Sequence, residues 1–127
     1  GAMTPLATLE AFLKAFERFD FDAAFALVAE ECDYRNMPDP GTVHVGPKAA
    51  RAFLEAFFAP TSANEFIVLR AVEQGDVVMI ERLDRHKVGE AWLELPVTGV
   101  FEVRDGRITV WHDYFDMASL ERQFPRG

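Results

Sequence analysis

The chain has 127 residues, 50% of them hydrophobic, which is the size of one ordinary domain with a real core and excludes disorder. The formal net charge of −8 argues against nucleic acid and anionic membrane surfaces as partners, and says little about a neutral small molecule. The single cysteine, Cys32, excludes an intrachain disulfide and leaves the cytoplasm as the default location.

Gly1-Ala2-Met3 reads as a protease-cleavage scar, so the fold reading covers one domain over residues 4–127. No basic segment precedes an apolar run, and no apolar run is long enough to span a bilayer. Thr4 and Pro5 suit an N-cap and a first helical position. Leu6, Leu9, Phe12, Leu13 and Phe16 then recur at helical spacing, predicting a first helix to about Phe19. Asp20 is a second N-cap candidate, with Phe21, Phe25 and Val28 predicting a short helix ending near Glu30. The alternation in Cys32-Asp33-Tyr34-Arg35-Asn36 predicts a short strand, followed by a Pro38–Gly41 loop. Gly46-Pro47 opens a third helix that stops before Pro60. Beyond Glu65 the pattern becomes β-type, with strands over Phe66 to Val72, Val77 to Val88, Ala91 to Val103 and Arg107 to Phe115. Asp105-Gly106 marks a tight hairpin, and Met117 to Phe124 closes the chain as a helix or turn. Helices followed by an antiparallel meander predict an α+β domain with helices on one face of a curved sheet.

The chemistry-bearing residues fall on shared strand faces. Arg82 and Asp84 are separated by one residue and share a face, as do Tyr34 and Asn36. Asp113 lies between Trp111 and Phe115 on its own face, a carboxylate set between aromatics. Burying that charge is costly unless it is paired. An arginine between two carboxylates supplies the pairing and lets the carboxylates differ in protonation, as acid/base chemistry requires. His86 continues the Arg82–Asp84 face, whereas Arg85 points the other way and His112 alternates away from Asp113. No two of His44, His86 and His112 have metal-ligand spacing, and Cys32 has no partner motif, so no metal site is expected. Phe53, Phe57 and Phe58 read as core in preference to ligand wall.

The helical start, short strand, helix and four-strand meander resemble the cone-shaped fold of nuclear transport factor 2, ketosteroid isomerase and the SnoaL-like polyketide cyclases. Tyr34-Arg35-Asn36-Met37-Pro38, Glu81-Arg82-Leu83-Asp84, Gly99-Val100-Phe101 and Trp111-His112-Asp113-Tyr114-Phe115-Asp116 together resemble the limonene-1,2-epoxide hydrolase family over nearly the whole chain. The resemblance implies opening of a small lipophilic epoxide by water, without metal, cofactor or covalent intermediate, in a homodimer. It assigns Asp113 as general base, Tyr34 and Asn36 as water holders, Asp84 as the acid on the epoxide oxygen, and Arg82 as the bridge between the carboxylates. It places Leu95, Val97, Phe115 and Leu120 on the pocket wall. The strand faces, not the resemblance, add Trp111 and His86 as substrate contacts, His86 being otherwise a solvated strand end. An apolar residue is expected in the family where His86 stands here.

Elementary chemistry is consistent with those roles. Water is a poor nucleophile at neutral pH and needs a base and a fixed orientation. A free aspartic acid, with a pKa of about 3.9, is rarely protonated at pH 7, so burial and proton sharing must raise it. Two other functions use the same cone. One is a cyclase or isomerase, including an epoxide-opening cyclase in which a substrate hydroxyl replaces water. The other is a non-catalytic binding or dimerisation module pairing through the open sheet face.

Overall fold

The computed structural model describes residues 3–124. Of the expected N-terminal scar, Gly1 and Ala2 lie outside the described residues, as do residues 125–127 of the domain assignment. Helix α1 (Pro5–Glu17) starts as predicted, with the Thr4 side chain accepting a hydrogen bond from the Ala7 amide at 3.1 Å and proline in the first turn. It stops short of the predicted end because Phe19 turns to a φ of 59°. Asp20 then caps α2 (Phe21–Phe25) by accepting from the Ala23 amide.

The second helix is shorter than the periodicity predicts. Val28 pairs with Ile108, and the Ile108 amide donates to the Leu27 carbonyl at 2.7 Å, so a long-range ladder ends the local helix. Strand β1 (Val28–Asn36) therefore begins earlier than expected. Strand β2 (His44–Val45), a short edge pairing with β1, was not predicted. Helix α3 (Gly46–Phe58) agrees with its predicted limits. Gly46 adopts a φ of +82°, and a Cβ there would stand 2.7 Å from the Glu30 carbonyl oxygen, so only glycine passes this corner without displacement.

The meander is β3 (Ala63–Gln74), β4 (Val77–Val88), β5 (Ala91–Arg104) and β6 (Arg107–Tyr114), ending in the short helix α4 (Met117–Glu121) capped by Asp116. Asp105 and Gly106 both take positive φ, 51° and 73°, as a two-residue type I′ hairpin requires. The six strands form one sheet in the order β2-β1-β6-β5-β4-β3, antiparallel except between β1 and β6. Register shifts interrupt the β1–β6, β3–β4 and β5–β6 pairings, and such bulges bend a sheet. The architecture is the α+β arrangement expected from the sequence.

Helices α1 and α3 cover the inner face. The main core joins Leu9, Phe12, Phe16, Phe58, Ile80, Phe101 and Trp111, with a smaller cluster of Leu93, Leu95, Val97 and Leu120 beneath α4. The inward side chains of β4 begin apolar, at Val78 and Ile80, and continue as Arg82, Asp84 and His86, all buried. The core thus becomes ionisable partway along one strand. No helix among the described residues is long and apolar enough to cross a membrane.

Candidate active site

Arg82 binds both carboxylates at once. Its Nε and Nη2 donate to the Asp84 oxygens at 2.8 and 3.1 Å, and its Nη1 and Nη2 donate to the Asp113 oxygens at 3.2 and 3.0 Å. All three side chains are buried. The planar guanidinium fork makes two bidentate contacts that a lysine could not reproduce. The bridge spans three strands: Asp113 on β6 registers with Gly99 on β5, and Gly99 with Ile80 on β4.

Gly99 makes that span possible. A Cβ on it would fall 2.7 Å from Arg82 Nη1, 2.9 Å from Asp113 Oδ1 and 2.5 Å from the Phe101 ring. Arg82 is held by four hydrogen bonds and Phe101 is fully buried, so neither yields freely. Gly99→Ala is expected to destabilise the fold by about 1–3 kcal/mol and to displace the bridge. Urea denaturation checks the first effect; a stability equal to the parent's would contradict the close approach.

The parallel pairing of β1 with β6 assembles the other side of the site. It registers Asn36 with Asp113 and Tyr34 with Trp111. The Tyr34 and Trp111 rings stack with centroids 3.8 Å apart. The indole Nε1 of Trp111 donates to Asp113 Oδ2 at 3.2 Å, so Trp111 holds the carboxylate as well as lining the cavity. The Asn36 Nδ2 lies 3.1 Å from the Tyr34 hydroxyl. All five residues that the sequence pointed to, Tyr34, Asn36, Arg82, Asp84 and Asp113, meet at one cavity.

Their protonation states differ for physical reasons. Burial pushes the Asp84 carboxyl up to about 6, against the opposing pull of Arg82, with the Asp113 charge adding to the rise. Arg82 is desolvated, yet the two carboxylates hold its guanidinium above the ordinary arginine range. Burial and the Asp113 charge raise Tyr34, which therefore stays a phenol and an O–H donor at neutral pH. Asp33, on the opposite face of β1, shows the contrast. Bidentate hydrogen bonds from Arg35, with the nearby His112 ring, hold it down at about 2 in a half-exposed setting. Burial pushes Cys32 up to about 12, so it remains an unreactive thiol. Among the described residues, no group of three or more His, Cys, Asp and Glu converges as a metal cage.

The cavity holds about 290 Å³ and is walled mostly by apolar side chains. Leu95, Val97, Trp111, Phe115, Leu120 and His86 all line it. Phe53 and Phe57 correct the sequence reading. They are not core: each remains more than a third exposed, at 38% and 37%, and lines the cavity, whereas Phe58 is buried in the core and also reaches the wall. Helical periodicity places all three on one side of α3 but does not show that the helix ends over an open cavity.

Sequence reasoning also missed Asn64. It is buried opposite His86 on β3, and its Oδ1 lies 2.6 Å from His86 Nδ1. Strand β3 begins at Ala63, ahead of the expected Phe66, so Asn64 falls before the predicted strand and carries no recognisable signal. His86 itself is not at a solvated strand end. Burial, helped by the Arg82 charge, pulls its pKa down to about 4 from an ordinary 6.5. A histidine kept neutral in the fold stabilises fully above 6.5 and loses that contribution as pH falls toward 4. Relative to the parent, His86→Leu is therefore expected to become progressively more stable as pH drops from 7 to 4.5. Denaturant midpoints at the two pH values check this; a pH-independent difference would contradict a buried neutral ring.

The chain matches the family described as "Limonene-1,2-epoxide hydrolase catalytic domain" over residues 3–126. It is 34% identical to epoxide hydrolase EphG of Mycobacterium tuberculosis over 119 residues, covering 94% of this chain and 78% of that protein. A solved structure of an M. tuberculosis LEH-like epoxide hydrolase superposes with a TM-score of 0.81 at 31% identity, covering 94% of this chain and 87% of the other. A putative SnoaL-like polyketide cyclase from Shewanella putrefaciens reaches a TM-score of 0.83 at 13% identity, covering 94% of each chain. That last likeness is one of fold alone.

Proposed function

Because the chain belongs to the limonene-1,2-epoxide hydrolase family, we propose that it hydrolyses a small lipophilic epoxide to a vicinal diol in one step. The observation that carries this reading is the buried Arg82 bridge between two carboxylates in different environments. Asp113 accepts a proton from water, while Tyr34 and Asn36 orient that water toward an epoxide carbon. Asp84 gives its proton to the epoxide oxygen as the C–O bond breaks. One proton shared over the two acids and one fixed arginine charge leaves the cluster neutral before and after the step. Transfer of the proton from Asp113 to Asp84 then restores the starting state. Holding water, base and acid around a bound epoxide supplies orientation, and each proton transfer contributes about 10²–10⁴-fold.

The apolar wall of Leu95, Val97, Phe115 and Leu120 suits a lipophilic body, and excludes bulk water from the reacting carbon. Incubation with limonene oxide, styrene oxide, cyclohexene oxide and a fatty epoxide, analysed by chiral chromatography and mass spectrometry, tests the reading. Diol formation lost in Asp113→Asn supports it; no diol from any of the four would contradict it.

The pH dependence follows from Asp84. The acid must carry its proton, and its pKa is raised to about 6. Above that pH the competent fraction falls tenfold per unit, so kcat/KM is expected to decline with unit slope on the alkaline side. A kcat/KM flat from pH 6 to pH 9 would count against Asp84 as the acid.

A further inference from the structure

His86 is joined to a chain of hydrogen bonds whose direction is fixed by its far end. The Phe58 carbonyl can only accept, so the Thr61 hydroxyl donates to it at 2.7 Å. Thr61 Oγ1 in turn accepts from Asn64 Nδ2 at 3.0 Å. That sets the Asn64 amide with its oxygen toward His86, where it accepts from Nδ1–H at 2.6 Å. In the neutral ring the proton is thus committed to Nδ1, and Nε2 carries a bare lone pair. Burial keeps the ring neutral at working pH.

Nε2 has no hydrogen-bond partner among the described residues. Yet no sealed side-chain nitrogen or oxygen among them lacks a partner, so Nε2 opens onto the cavity that His86 lines. Around it the wall is aromatic: Phe57, Phe58 and Phe66 have ring centroids 5.3, 5.8 and 6.0 Å from the imidazole. An acceptor set among phenylalanines is costly to leave unmatched, and a donor on the ligand would match it.

Its position separates it from the attacking water. Asp113 stands level with Ile80 across β5, and the inward residues of β4 then run Arg82, Asp84, His86. His86 thus lies about 7 Å past the acid along the strand, on the side away from the base. A group bound there belongs to the end of the substrate remote from the carbon that water attacks.

We propose that His86 Nε2 is a specificity-determining acceptor for a hydroxyl at the distal end of the substrate, making the preferred substrate a hydroxylated epoxide and not a pure hydrocarbon epoxide. This rests on the hydrolase reading above. A carboxylate at that end is disfavoured, because it would face a lone pair with no proton to share.

The test compares limonene 1,2-epoxide with α-terpineol 1,2-epoxide, which carries a side-chain hydroxyl, and measures kcat/KM for both. The parent is expected to prefer the hydroxylated epoxide by about tenfold. His86→Leu is expected to abolish that ratio, and His86→Gln, which retains an acceptor, to keep part of it. A second arm needs no turnover: the dissociation constants of α-terpineol and its methyl ether are measured by calorimetry on the same proteins. Binding of the alcohol about tenfold tighter by the parent alone supports the proposal. Equal affinities, or a ratio unchanged in His86→Leu, would overturn it even if both epoxides are hydrolysed. Tight alcohol binding without diol from either epoxide would instead overturn the hydrolase reading on which the proposal rests.

Discussion

Asp113→Asn is expected to lower kcat/KM for epoxide hydrolysis by about 10²–10⁴-fold, the range for loss of a general base, with the folded structure retained. The substitution has two effects on the proposed chemistry. It removes the group that takes the proton from water. It also removes a negative charge that helps raise Asp84. Without it, Arg82 faces Asp84 alone and draws that carboxyl toward its ionised form. Residual activity should therefore show its alkaline decline at lower pH than the parent. Steady-state kinetics over pH 5 to 9 read both effects. A variant with near-parental kcat/KM and only a lowered melting temperature would make Asp113 a structural carboxylate.

Arg82→Leu carries the largest expected effect on stability. The side chain is buried and satisfies two buried acids. Removing one partner from such a cluster leaves uncompensated charge and is expected to destabilise by about 3–5 kcal/mol at neutral pH. The sign of its pH dependence follows from the same reasoning. Without Arg82, burial and the neighbouring Asp113 charge raise the Asp84 carboxyl unopposed, so the folded state binds more protons than the unfolded chain. The variant should then recover stability as pH falls from 7 toward 4, as Asp84 becomes neutral. Denaturant unfolding at pH 7 and pH 4.5 measures it. A loss below about 1 kcal/mol would assign the contacts to the weak class of screened surface pairs.

The paired-acid logic was legible in the sequence because strands impose a period of two. Arg82, Asp84 and His86 had to share a face once Val77–Val88 was a strand, and Tyr34 with Asn36 likewise. The strand limits of β4 and the ends of α3 were also readable, since glycine, proline and charged turns mark them. What the sequence could not carry was pairing between distant segments. The parallel contact of β1 with β6 brings Asn36 beside Asp113, and it also ends α2 early by drawing Val28 into the sheet. The partner of His86 was hidden for the same reason: Asn64 meets it only through the β3–β4 register. Helical spacing misplaces Phe53 and Phe57 because it reports a shared apolar side, not whether that side meets a core or a cavity. Gly99 stands in the sequence only as part of Gly99-Val100-Phe101; its role depends on Arg82 crossing over β5, which no local pattern encodes.

Direct attack of Asp113-activated water on the epoxide carbon is distinguished from covalent catalysis by a single turnover in H₂¹⁸O with enzyme in excess over an epoxide that the parent hydrolyses. Direct attack gives a diol carrying one ¹⁸O from the first turnover, and no label in the Asp113 or Asp84 carboxylates. An unlabelled first-turnover diol, followed by ¹⁸O in an aspartate side chain, would show that a carboxylate had attacked carbon and would contradict it.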